Sequence, residues 1–239
     1  KHWSNLQPEV QNQVEICVHP PYAFLDRVRQ GLVADIAVGP QNIYDSSFPN
    51  TGNTGATTAK MMTSLNMEWV LLGHSDRRNS LGETDELIAE KASMVLAEEG
   101  LNICLTIGET GEQRTNDETL TILEKQLGAV AGVVPGADAW SRVALAYEPV
   151  WAVGEGAIPC APEEAQRVHT FLREWIRTHV SEDAAQACRL TYTGSVNEDN
   201  AAGYAALSEV DGFVIGRAGL DAAKLCDIAE TLVKAKRIA

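Results

Sequence analysis

The chain has 239 residues, 45% of them hydrophobic and 22% charged, and its 33 acidic against 19 basic residues give a formal net charge of -14. A field of that sign repels nucleic acid and anionic lipid, so no nucleic acid and no membrane is expected as a partner. It repels anionic metabolites as well, so a phosphorylated ligand would need a locally positive or amide-lined pocket.

Cysteine usage points the same way, toward an ordinary reducing compartment. The five cysteines (Cys17, Cys104, Cys160, Cys188, Cys226) are odd in number and scattered, and no pair has the CxxC spacing of a zinc site. Cys17 and Cys104 sit in apolar runs and read as small core residues. Cys160 lies in a Gly/Pro-rich segment and is the thiol expected to be exposed. No run has the apolar length of a membrane span, and no secretory leader pattern is recognised. The expectation is a cytoplasmic chain, with an organellar one as the alternative if a targeting peptide was removed.

Taken in chain order, short apolar runs alternate with longer helical patterns. Strands are predicted at Val14–His19, Asp35–Gly39, Glu68–Gly73, Leu101–Ile107, Val143–Tyr147, Arg189–Tyr192 and Asp211–Ile215. Their nearly continuous apolar character suits parallel strands covered on both faces. Leu87, Ile88, Ala92, Val95 and Leu96 share one helix face, and Val168, Leu172, Trp175, Ile176 and Val180 another. Pro162 opens the second of these helices, with Glu163 and Glu164 in its first turn, where the positive end of the helix dipole favours acids.

This alternation gives an α/β protein with a parallel sheet, either open and doubly wound or closed as a (β/α)8 barrel. Seven units of roughly 30 residues are clear, whereas a closed eightfold barrel takes about 250 residues. The shortfall falls before Val14, so the first strand and helix are expected to be incomplete. No linker or low-complexity tract divides residues 1–239, which read as a single domain.

In a barrel the reactive residues belong just after the strands. Three polar segments stand there: Gly73–Arg78, Gly108–Thr110 and Ala146–Trp151. A lone histidine at a strand end serves structure more often than chemistry. A carboxylate and an imidazole converging on one mouth, Glu148 and His74, would form an acid/base pair. Nothing in the sequence calls for a metal or cofactor.

These strings resemble the triosephosphate isomerase family. Ala146–Gly154 resembles its catalytic glutamate and mobile lid, and Gly73–Arg78 its histidine motif. Ile107–Thr110, Gly82–Asp85, Gly194–Asn197 and Asp211–Gly216 follow in the family's order, and the likeness runs from about Val14 to Leu225. The resemblance implies a (β/α)8 TIM barrel that interconverts glyceraldehyde 3-phosphate and dihydroxyacetone phosphate. It makes Glu148 the base, His74 the electrophile and Lys1 the match for an N-terminal catalytic lysine. It gives Gly154, Ser195, Gly216 and Arg217 to the substrate phosphate, with Ser75, Asp76, Trp151 and Tyr192 in support. It also implies a homodimer whose loop, Tyr44–Ala56 with Thr54, reaches the neighbour's site.

The departures from the pattern cluster at the phosphate. Thr193 and Arg217 stand where glycines are usual, Asp76 where glutamate is usual, and Glu155 where threonine is usual. Thr106 replaces a cysteine, Ala56 replaces a glutamate, and the lid's far hinge, Ala157–Ala161, is one residue longer. They leave room for two other readings: a non-catalytic barrel serving as a structural subunit of a larger assembly, or a phosphate-binding barrel enzyme with another substrate.

Overall fold

The computed structural model describes residues 2–44, 54–154 and 156–237. Every sequence-predicted strand is present, two at their predicted bounds and the others shorter: β1 (Ile16–Val18), β2 (Ile36–Val38), β3 (Trp69–Leu72), β4 (Asn102–Ile107), β5 (Val143–Tyr147), β6 (Arg189–Tyr192) and β7 (Gly212–Phe213). The helices are α1 (His2–Asn5), α2 (Pro8–Gln11), α3 (Leu25–Gly31), α4 (Ala59–Ser64), α5 (Asp85–Ala97), α6 (Gly111–Thr115), α7 (Thr119–Ala131), α8 (Pro162–His179), α9 (Glu182–Ala187), α10 (Ala201–Ala205) and α11 (Ala222–Lys236).

All ladders are parallel. β1 pairs with β2, and β3 to β7 pair successively, with Trp69 opposite Asn102, Ile103 opposite Val143 and Thr191 opposite Gly212. Two backbone bonds join the two sets: Glu68 N–H to the Val38 carbonyl and Leu71 N–H to the Pro40 carbonyl, each 3.0 Å. The strands therefore run in one series from β1 to β7. No ladder links β7 back to β1 among the described residues.

Side-chain period two sorts the strands into an inside and an outside. Ala37, Trp69, Leu71, Cys104, Ala144 and Ala146 form one buried cluster, with Cys17 and Val214 packed on it. These residues come from both ends of the strand series, so the sheet curls around a shared interior of mostly small side chains. The alternate residues Val38, Val70, Leu72, Ile103, Leu105, Leu145 and Leu190 join the larger core with Ile88, Leu123, Leu127, Val168, Leu172 and Ile176 of the helices. Burial on both faces explains the unbroken apolar runs. At the strands' starting end, Glu15 accepts from Trp69 Nε1 at 2.7 Å and pairs with Arg189 at 2.6 Å, tying the approach to β1 to β3 and β6.

Helix starts follow local chemistry. The Thr84 hydroxyl accepts from Leu87 N–H to cap α5, and Thr110 with Gln113 makes a reciprocal capping box on α6. Pro162 occupies the first position of α8, as expected. One expectation fails. Cys160 is buried (1% exposed) in the main core, not exposed, because the chain turns inward there before entering α8. Cys17 is half-buried and Cys104 buried in the interior, and all five thiols are free.

Candidate active site

The segments singled out in the sequence all follow the carboxyl ends of strands and so share one end of the sheet: His74 after β3, Glu109 after β4, Glu148 after β5, Ser195 after β6 and Gly216 after β7. Gly73 makes the turn after β3 possible. Its φ of +75° suits glycine, and a Cβ there would lie 2.6 Å from the Thr106 carbonyl oxygen.

The Glu148 carboxylate is 2% exposed. Ser75 donates to it twice, from its backbone N–H at 3.0 Å and from its hydroxyl at 2.8 Å. His74 Nε2 stands 3.5 Å from Glu148 Oε1. The other ring nitrogen, Nδ1, accepts the Asp76 backbone N–H at 3.2 Å. An imidazole whose Nδ1 accepts carries its proton on Nε2 in the neutral ring, so the proton faces the carboxylate and the mouth. The Asp76 carboxylate also approaches Nδ1, at 3.5 Å, but it is 84% exposed and screened by solvent. Asp76 thus keeps a contact with His74 despite its shorter side chain.

The next segment is held from below. Trp151 Nε1 donates to Glu109 Oε1 at 2.8 Å, and the Tyr147 hydroxyl donates to the same oxygen at 3.1 Å. Burial pushes the Glu109 carboxyl above its ordinary value, against the pull of these donors. Arg114 lies over the Trp151 ring at 4.1 Å and pairs with Glu164 at 2.9 Å. Sequence reading placed Glu109 in a strand-end segment but gave it no role. Its position, one residue past a strand-end glycine, was the available signal.

At the end of β6, Tyr192 is fully buried and its ring stacks on Tyr204 at 4.3 Å. Gly194 fits under it, since a Cβ there would lie 2.4 Å from the Tyr192 hydroxyl. Ser195 takes the left-handed backbone (φ 31°), and its hydroxyl donates to the Ala152 carbonyl at 2.8 Å. Thr193 keeps an ordinary negative φ, so the threonine meets no conformational obstacle. Gly154 is exposed with φ 120°. After β7, Gly216 precedes a 3-10 turn, Arg217–Leu220, that holds Arg217 exposed.

Three expected contributors are not placed. Lys1, Glu155 and most of the Tyr44–Ala56 loop (45–53) lie outside the described residues. The helix that follows Lys1, α1, packs by Trp3 against Ile16 and Ile36 near the strand starts. Thr54 is exposed beside the loop. Sequence reading also gave no role to a buried network next to the site. Glu83 Oε1 accepts from Lys91 at 2.6 Å, from Arg77 at 2.5 Å and from Asn42 at 2.9 Å. Burial pushes the Glu83 carboxyl up, but these three donors outweigh it and hold it below the ordinary value. No group of three or more His, Cys, Asp or Glu side chains able to hold a metal occurs among the described residues.

Comparison with known proteins agrees with the geometry. The model of the family described as triosephosphate isomerase matches residues 1–232. A cytosolic triosephosphate isomerase of Stellaria longipes is 40% identical over 226 residues, covering 95% of this chain and 85% of the relative. The triosephosphate isomerase of Emericella nidulans is 38% identical, covering 88% and 83%. A chloroplastic relative from Secale cereale is 38% identical, covering 91% and 72%. With the family comes the (β/α)8 barrel, and the chain belongs to the triosephosphate isomerase family.

Proposed function

We propose that the chain interconverts glyceraldehyde 3-phosphate and dihydroxyacetone phosphate. The observation that carries this reading is the pair of Glu148 and His74, 3.5 Å apart, with the imidazole Nε2 turned to the carboxylate. Glu148, swung off Ser75, removes the proton from the carbon beside the carbonyl. His74 donates its Nε2 proton toward the carbonyl oxygen as charge develops there and returns protons between the two oxygens. A neutral donor suits this work because the proton it lends comes back at little cost.

The phosphate is given to backbone N–H groups around Gly154, Ser195 and Gly216, with Arg217 beside them. That solves the charge problem of an acidic protein, because amides and one arginine supply local positive potential. The segment after Trp151 serves as a lid that excludes water, its base fixed by Glu109 and Arg114. Lys1 is given no role: it lies outside the described residues, and the helix that follows it packs near the strand starts, the end opposite this site.

The 239 residues are read as one domain, which the packing of Trp3 on Ala229 supports. The homodimer is supported by Tyr22, Phe24, Tyr44, Met61 and Leu81. They are 40–63% exposed and stand on or beside the loops that follow the first three strands. The cytoplasm is the proposed location, and organellar forms among the relatives leave that alternative open.

The test is a steady-state isomerase assay beside Glu148→Gln. Loss of the base should lower kcat by about 10²–10⁴-fold with little change in KM. Equal rates for the two proteins would refute the assignment and favour a structural subunit. Turnover of other phosphorylated sugars but not of triose phosphates would favour the altered-substrate reading.

A further inference from the structure

The lid segment is framed by two buried residues, Ala152 (0% exposed) and Cys160 (1%), while Val153, Gly154, Gly156, Ile158 and Pro159 between them are exposed. Both framing residues offer a backbone carbonyl to a hydroxyl, and both hydroxyls come from the chain that follows β6. Ser195 donates to Ala152 at 2.8 Å, and Tyr204 donates to Cys160 at 2.5 Å. Ser195 belongs to the phosphate loop already described. Tyr204 has no part in that site.

Tyr204 is well placed to hold its end. It is 2% exposed, on α10, and its ring stacks on Tyr192 at 4.3 Å. α10 packs on α8, with Gly203 facing Pro162, the first residue of α8 after the lid. The Cys160 carbonyl precedes α8 and has no turn of its own to satisfy it, so a buried hydroxyl is what keeps it from being orphaned. The same contact explains why Cys160 turns inward. The extended far hinge noted in the sequence, Ala157–Ala161, contains this residue.

We propose that Tyr204 is a positioning residue for catalysis: through the Cys160 carbonyl it fixes the far hinge of the lid to the unit that carries Ser195. The lid is then hung at both ends from one βα unit, and the Tyr204 hydroxyl sets where its far end pivots. This rests on the lid reading given above.

The test is Tyr204→Phe, which keeps the stacked ring and removes the hydroxyl, with Ser181→Ala as a control that weakens the cap of α9, the helix leading into the start of β6. Five quantities are measured on each protein: melting temperature, kcat, KM, affinity for phosphoglycolate, and the rate of proteolytic cleavage within 153–159. The expected result for Tyr204→Phe is cleavage about tenfold faster and phosphoglycolate binding about tenfold weaker, on the scale of one lost hydrogen bond. The kcat should fall more than KM changes, whereas Ser181→Ala lowers only the melting temperature.

Wild-type kinetics and cleavage in Tyr204→Phe would overturn the proposal. Faster cleavage with unchanged kinetics and phosphoglycolate affinity would also overturn it, since the hinge would then be structural only. A loss of kcat matched by Ser181→Ala at equal loss of stability would do the same. If the wild-type chain itself fails to turn over triose phosphates, the functional reading falls, and the cleavage rates alone decide whether Tyr204 anchors the hinge.

Discussion

A single buried carboxylate can outweigh many exposed ones, and Glu83 shows why. It shares one oxygen among Lys91, Arg77 and Asn42, and its partner Lys91 is only 3% exposed. Glu83→Gln would leave that ammonium buried without a counter-charge, so a loss of about 3–5 kcal/mol is expected in urea unfolding. The pair Glu15–Arg189 has similar geometry but is 48% and 39% exposed, and Glu15→Gln is expected to cost less than about 1 kcal/mol. Equal losses in the two variants would show that burial does not govern these pairs. Gly194→Ala makes a second residue-scale case. Its Cβ would sit 2.4 Å from the Tyr192 hydroxyl and 3.2 Å from Pro149, so the strand-end turn must shift. Phosphate-analogue affinity is expected to fall, and an unchanged affinity would show that the turn yields freely.

Among elements, α8 combines the most signals, with Pro162 at its first position, acids in the first turn and basic residues in the last. Its Glu164 also reaches sideways to Arg114, which covers the Trp151 ring. The Arg167 hydrogen bond, with Arg114 in support, holds the Glu164 carboxyl at about 2, below its ordinary 4.5. A lowered carboxyl pKa stabilises the fold above the ordinary value, and that stability is lost as pH falls from about 4.5 toward 2. Because the group is largely solvated, screening reduces the effect to about 1 kcal/mol. Acid titration of unfolding should therefore show a shallower loss over that window in Glu164→Gln than in wild type, and identical curves would contradict the sign.

For the whole molecule, the exposed apolar residues Tyr22, Phe24, Tyr44, Met61 and Leu81 lie around loops that are tied to one another. Tyr22 donates to the Asn42 carbonyl, and Asn42 to Glu83. A patch of that kind on a chain of net charge -14 is costly to leave in water. A sedimenting dimer at micromolar concentration is expected, and Met61→Lys with Leu81→Lys should shift it toward monomer. A fully active wild-type monomer would rule out the dimer as a requirement of the site.

The sequence by itself determined the strands and their parallel pairing, and it placed His74 and Glu148 at strand ends, where the structure brings them 3.5 Å apart. These depend on local patterns: apolar runs buried on both faces, and reactive side chains placed at strand ends. It also identified Thr193 as a departure, but only the backbone shows that the left-handed residue is Ser195 and that Thr193 is not. Tertiary structure alone decided the burial of Cys160, the Glu83 network and the Tyr204 contact. Each joins residues that are distant in sequence: Tyr204 to Cys160 across 44 positions and Asn42 to Glu83 across 41. A hydroxyl or a carboxylate in isolation carries no record of the partner that packing will bring to it. Burial sets the energy of such contacts, and burial belongs to the assembled sheet and helices.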